Sequence, residues 1–197
     1  MAQHELILGG QKSGKSRTAE HRVAAWLAGD AARSALLLAT AWAGDAEMAQ
    51  RIQRHQVDRA LRVPGLATLE LAGAGLTGQG DHTDLAQAIT RASTAQCLLV
   101  VDCLTLWLTQ LAMPLHGPAA DATQLQAATA ALCQAIRAAP GPLVLVSNEI
   151  GLGVSPMSAE ARRFIDALGS VHQQVAAACD RVTLMVAGCG LVVKQEG

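Results

Sequence analysis

Gly9-Gly10-Gln11-Lys12-Ser13-Gly14-Lys15-Ser16 decides how this chain is read. It fits G-x-x-x-x-G-K-[ST], a loop whose backbone N–H groups curl around a phosphate. The flanks agree with the motif. Glu5-Leu6-Ile7-Leu8 directly before it is a short apolar strand, and Ser16 to Ala28 directly after it has a helical pattern. A helix N-terminus adds a favourable dipole for an anion. Gly9, Gly10, Gln11, Lys12, Ser13, Gly14, Lys15 and Ser16 are therefore expected to bind a nucleotide's phosphates. Lys15 is the expected catalytic cation at the terminal phosphates, and Ser16 is expected to offer its hydroxyl to Mg²⁺.

Such a site needs a second carboxylate on a neighbouring strand. Cys97-Leu98-Leu99-Val100-Val101 is a continuous apolar run that ends in Asp102, the expected second metal residue. The alternative for Asp102 is an N-cap on a helix from Leu104 to Leu111. Glu149 follows the strand Leu143 to Ser147 in the same way. Strand C-termini in open α/β sheets face the ligand crevice, so Glu149 is either a site residue or a loop carboxylate.

Outward from the loop, strands and helices alternate. Strands are expected at 34–40, 66–71, 97–102, 143–147, 182–187 and 191–194. Helices are expected at 45–59, 84–93, 122–139 and 158–180, and surface loops at 73–84 and 113–121. The pattern predicts one α/β domain over 1–197 with a mainly parallel sheet and right-handed crossovers.

Composition narrows the function. The chain has 197 residues, 51% hydrophobic and 16% charged, which excludes a disordered chain. Fifteen Lys and Arg balance sixteen Asp and Glu, so a nucleic-acid partner held by bulk positive charge is not expected. Aromatics are 2%, too few for base-stacking platforms. The N-terminus lacks a basic export signal, and no apolar run approaches the roughly 20 residues that span a bilayer. A cytoplasmic location is expected. Five scattered cysteines without C-x-x-C argue against disulfides or zinc, and Cys97, Cys103 and Cys189 are expected to be buried or nearly so. The high apolar fraction with so few aromatics suggests a homo-oligomer.

Among the six histidines, His4, His21, His82 and His116 are expected to be solvated, and His172 is expected to be structural or on the surface, with a functional role as the alternative. His55 differs. It sits on the polar face of the 45–59 helix, with Arg51 four residues before and Arg59 four after, a spacing that shares a face. Nearby cations favour the neutral, nucleophilic ring and neutralise a phosphate under attack. The alternative is a solvated histidine on a charged helix.

Further stretches carry a family likeness. They are Ala39-Thr40-Ala41, Asp45-x-Glu47-Met48 running to Arg51-Ile52-x-x-His55, Asp102-Cys103-Leu104-Thr105-Leu106-Trp107-Leu108, and Ser147-Asn148-Glu149-Ile150-Gly151-Leu152-Gly153-Val154-x-Pro156. With the phosphate loop, Arg163-Phe164 and Gly188, they resemble the bifunctional adenosylcobinamide kinase / adenosylcobinamide-phosphate guanylyltransferases of cobalamin biosynthesis. The resemblance runs from the first strand to Lys194. It implies a three-layer phosphate-loop fold of the RecA-like type and a homotrimer. It implies phosphorylation of the aminopropanol hydroxyl of adenosylcobinamide by ATP or GTP. GMP then passes from GTP to that phosphate through a phosphoramidate on a histidine, which by motif position is His55, giving adenosylcobinamide-GDP and pyrophosphate. Further nucleotide contacts are implied at Thr40, Ala41 and Trp42, at Gln56, Val57, Asp58 and Arg59, and at Glu70 and Asp102. Glu70 could accept the guanine N1 and N2 hydrogens; the alternative is a solvated strand-end charge. Three positions depart from the pattern: Lys12 replaces Arg, Ala60 replaces Pro, and Leu66-Ala67-Thr68-Leu69-Glu70 lacks the Trp. Two other readings compete, a plain small-molecule kinase with no use for His55 and a nucleotide-dependent switch.

Overall fold

The computed structural model of the protein describes residues 3–41, 46–71, 84–115 and 117–196. The apolar runs become β1 (His4–Gly9), β2 (Ser34–Ala39), β3 (Leu66–Glu70), β4 (Cys97–Asp102), β5 (Leu143–Asn148), β6 (Arg181–Val186) and β7 (Cys189–Gln195). They form one sheet in the order β3-β2-β4-β5-β1-β6-β7. All neighbours are parallel except the β6–β7 hairpin. Between them lie α1 (Lys15–Ala28), α2 (Ala46–Arg62), α3 (Leu85–Ala92), α4 (Leu104–Ala112), α5 (Ala122–Ala138) and α6 (Ala159–Ala178).

Strand side chains alternate between faces, so a run apolar at every position must be covered on both sides. Two cores result. Leu6, Leu38, Leu99, Val101, Leu143 and Leu145 pack on one face with residues of α3, α4, α5 and α6. Ile7, Leu37, Leu98, Val100, Val144 and Val146 pack on the other with Ala19 and Val23 of α1 and with Val63 beyond α2. The expected three-layer α/β architecture is therefore present. The β1 and β4 strands are separated by β5, so three adjacent strand ends carry the phosphate loop, Glu149 and Asp102.

Several expectations need correction. Cys189 is exposed, because it starts β7 at the sheet edge; Cys97, Cys103, Cys133 and Cys179 are buried and free. Burial pushes the Cys103 thiol up to about 11 and the Cys179 thiol up to about 12, which leaves both unreactive near neutrality. His4 is buried, not solvated, because β1 lies inside the sheet between β5 and β6. Its N–H donates to Asp180 Oδ2 at 2.7 Å. The helix read as 45–59 runs on to Arg62, three residues past the expected end. An unforeseen capping box, Asp121 with Gln124, opens α5. His82, His116, Asp45 and most of the 73–84 loop lie outside the described residues.

Candidate active site

The phosphate loop is shaped by two left-handed glycines. Gly9 has φ +151°, and a Cβ there would meet Met185 O at 2.5 Å and Ser13 Oγ at 2.7 Å. Gly14, the N-cap of α1, has φ +102°. Only glycine adopts such angles without strain and lets backbone approach this closely. Lys15 is buried, and its Nζ donates to Gly9 O at 2.8 Å and Gly10 O at 2.7 Å, which places the ammonium over the loop. Ser13 Oγ is buried without a hydrogen-bond partner among the described residues. A buried hydroxyl costs free energy until it is paired, so Ser13 Oγ is suited to an incoming hydrogen-bond partner at the loop.

Ser16 Oγ donates to Asp102 Oδ2 at 3.4 Å. A hydroxyl and a carboxylate so close are hard oxygen donors of the kind Mg²⁺ prefers. The N-cap alternative for Asp102 is not what occurs, since Cys103 is the N-cap of α4. Thr40 is buried and ties this strand end down: its Oγ1 accepts from Cys103 N–H at 2.8 Å and donates to Cys103 O at 2.7 Å. Gln110 Nε2 donates to Thr40 O. Ala41 follows, and Trp42 lies outside the described residues.

The polar helix α2 is fastened across these strand ends by side chains. Arg59 Nη2 lies 3.9 Å from Asp102 Oδ2. Gln56 Nε2 donates to Glu70 Oε1 at 2.8 Å, which joins two of the expected nucleotide residues. Arg62 pairs with Glu20 of α1 at 2.9 Å and with Asp58 at 3.3 Å. Val57 is exposed. His55 belongs to α2 one residue before Gln56; its side chain lies outside the described part of the structure. The Arg62–Glu20 pair was not foreseen, because no spacing links positions 42 residues apart.

His172 is buried and lies at the end of a chain of hydrogen-bonding groups. The Asn148 N–H donates to Thr105 Oγ1 at 2.8 Å. Thr105 Oγ1 lies 3.1 Å from Ser147 Oγ, and either hydroxyl can donate to the other. Ser147 Oγ lies 2.8 Å from His172 Nε2 and can donate to it. A neutral ring that accepts at Nε2 carries its hydrogen on Nδ1, and Nδ1 lies 3.5 Å from Glu149 Oε2. Glu149 Oε1 accepts from Gly151 N–H at 2.7 Å. Burial lowers the His172 pKa below its ordinary value, and Glu149 opposes that in part. His4 is lowered by burial too. The unfolded chain thus binds these protons at a higher pH than the folded one. Their contribution is complete above about pH 6.5 and declines as pH falls through that value toward the folded ones. Urea midpoints should therefore fall between pH 7.5 and pH 5.5, and fall less in His172→Asn.

With this geometry in hand, comparison with known proteins is direct. The profile of the cobinamide kinase / cobinamide phosphate guanyltransferase family matches residues 5–193. The chain belongs to that family. Family members are bifunctional enzymes, and the match spans the loop, α2, Asp102 and Glu149 alike. A Pseudomonas aeruginosa relative, the bifunctional adenosylcobalamin biosynthesis protein CobP, is 42% identical over 98% of this chain and 98% of its own. The Salmonella typhimurium protein CobU, of the same description, is 34% identical over 96% of this chain and 98% of its own. Among solved structures, the flagellar accessory protein FlaH of Methanocaldococcus jannaschii superposes with a TM-score of 0.52 at 11% identity, covering 98% of this chain and 79% of that one. That likeness concerns the fold alone.

Proposed function

We propose that this kinase and guanyltransferase phosphorylates adenosylcobinamide at its aminopropanol hydroxyl with ATP or GTP. In the second step His55 takes GMP from GTP and passes it to the new phosphate, giving adenosylcobinamide-GDP and pyrophosphate. The observation that carries the reading is the family match over nearly the whole chain, joined to a phosphate loop whose Ser16 and Asp102 lie 3.4 Å apart.

In the kinase step Lys15 and the loop N–H groups hold the phosphates, and Ser13 offers its unpaired hydroxyl to a phosphate oxygen. Ser16 and Asp102 would hold Mg²⁺, which when bound neutralises phosphate charge. Arg59, beside Asp102, is placed to meet a phosphate from α2. Gln56 and Glu70 form a polar pair at the end of β3 suited to a purine edge. Light scattering should report a homotrimer, and a monomer at micromolar concentration would overturn that part. A cytoplasmic location also belongs to the proposal; no helix among the described residues is long and apolar enough to cross a membrane.

The test is incubation with GTP alone, followed by protein mass and pyrophosphate release. One added GMP per chain with stoichiometric pyrophosphate supports the two-step reading. Transfer with pyrophosphate release but without any adduct would overturn the covalent route and leave direct transfer from GTP to the cobinamide phosphate.

A further inference from the structure

A polar cavity beside the phosphate loop is not used by the nucleotide reading. It measures about 330 Å³ and opens between the end of β5 and α6. Glu149, Gly151, Asp166, Gly169, Ser170 and His172 line it. Backbone contacts join it to the loop. Gly9 is paired with Asn148 across β1 and β5, and Glu149 N–H donates to Gly9 O at 3.0 Å. Lys15 Nζ donates to that same carbonyl. The β5 strand lies between β1, which feeds the loop, and β4, which ends in Asp102. Glu149 thus emerges from the middle of the three strand ends.

We propose that this cavity is the acceptor subsite of the kinase step, with Glu149 taking the proton of the attacking hydroxyl and His172 positioning Glu149. The inference rests on the kinase reading above and adds to it where the alcohol sits. The chemistry balances simply. The acceptor's O–H bond breaks and its proton goes to a Glu149 oxygen. The acceptor oxygen bonds to the γ-phosphorus of the nucleoside triphosphate. The bond from that phosphorus to the β–γ bridging oxygen breaks, and its electron pair leaves with the nucleoside diphosphate.

Three observations support the assignment. First, each carboxylate oxygen accepts two hydrogen bonds, so Glu149 keeps capacity after Gly151 N–H and His172 Nδ1 are served. Second, a carboxylate 3.5 Å from Nδ1 favours the ring that carries its hydrogen there, and Ser147 Oγ, 2.8 Å from Nε2, can donate to the other nitrogen, so the buried ring offers Glu149 an N–H rather than a lone pair. A solvated turn carboxylate has no need of a buried histidine held in this way. Third, the cavity suits the size and polarity of an amino-alcohol arm and is too small for a whole corrin ring. The loop that leaves it through Gly151 exposes Leu152, Val154 and Met157, which gives apolar surface at the mouth for the body of such an acceptor.

The experiment compares three single variants and one double variant with wild type in two assays: phosphorylation of cobinamide by ATP, and guanylyl transfer to pre-formed cobinamide phosphate. Glu149→Gln keeps an oxygen for Gly151 N–H but removes the base. Its kinase kcat should fall by about 10²-fold or more, at least tenfold beyond any fall in transfer. His172→Asn should lower kinase kcat when Glu149 is present and add nothing on top of Glu149→Gln. Gly169→Leu fills the cavity at a helix position where an added Cβ meets nothing within 4 Å. It should raise the KM for cobinamide and leave the KM for ATP alone. Wild-type kinase turnover in Glu149→Gln overturns the base assignment. Equal losses in both assays, or equal effects of His172→Asn in both backgrounds, show a merely structural pair and also overturn it. An unchanged cobinamide KM in Gly169→Leu overturns the subsite. If wild type itself fails to phosphorylate cobinamide, the kinase reading has failed instead, and the two failures are thereby distinct.

Discussion

Replacing Lys15 by alanine should lower phosphorylation of cobinamide by about 10²-fold or more, the scale of losing a main electrostatic stabiliser of a transferring phosphoryl group. The side chain is buried and its ammonium is held by Gly9 O and Gly10 O at 2.8 and 2.7 Å. These two bonds hold the ammonium at the loop. Alanine removes the charge and leaves two loop carbonyls without that donor, so loop order and charge are lost together. Lys15→Arg separates these effects. It keeps a cation but replaces a compact point charge with a planar fork that the same two carbonyls do not fit, so it should recover little turnover. A urea melt of each variant shows that the protein is folded. Near wild-type phosphorylation in Lys15→Ala would remove the loop from the kinase step.

What the sequence made legible is what neighbours in the chain decide. Strand, glycine loop and helix are contiguous at 4–28, so the phosphate loop could be read directly. The buried strands could be read because parallel strands covered on both faces are apolar at every position. Asp102 was legible as the polar end of such a strand. Partnerships between distant residues were not. Nothing in the spacing foretells that Thr40 clamps Cys103, that Arg62 reaches Glu20, or that Thr105 and Ser147 aim His172 at Glu149. These depend on the strand order, which places β5 between β1 and β4. His4 was misread for the same reason: a residue near the chain's start is expected in water, but β1 is an inner strand. The Asp121–Gln124 box is different, because Asp-x-x-Gln before a helical run was there to be read.

GTP alone should label the protein with one GMP per chain, and His55→Ala should abolish both the label and guanylyl transfer. In the proposed step a ring nitrogen would attack the α-phosphorus, an N–P bond would form, the bond to the α–β bridging oxygen would break, and pyrophosphate would leave. A phosphoramidate is acid-labile and base-stable, so the label should be lost in mild acid and kept in alkali. Attack needs an unprotonated ring nitrogen, so labelling should slow as pH falls. The placement of α2 supports the step. His55 stands one residue before Gln56, which bonds Glu70, and four before Arg59, which faces Asp102. The helix that carries it is thus tied to the strand ends where a nucleotide would lie. His172 is a poor competitor for the label, being buried with Nε2 bonded to Ser147 and Nδ1 facing Glu149. His55→Ala should spare much of the phosphorylation, because Lys15, Ser16 and Asp102 are untouched. An adduct that persists in His55→Ala would assign the acceptor to another residue. The absence of any adduct in wild type across pH and Mg²⁺ would remove the covalent intermediate and leave direct transfer of GMP.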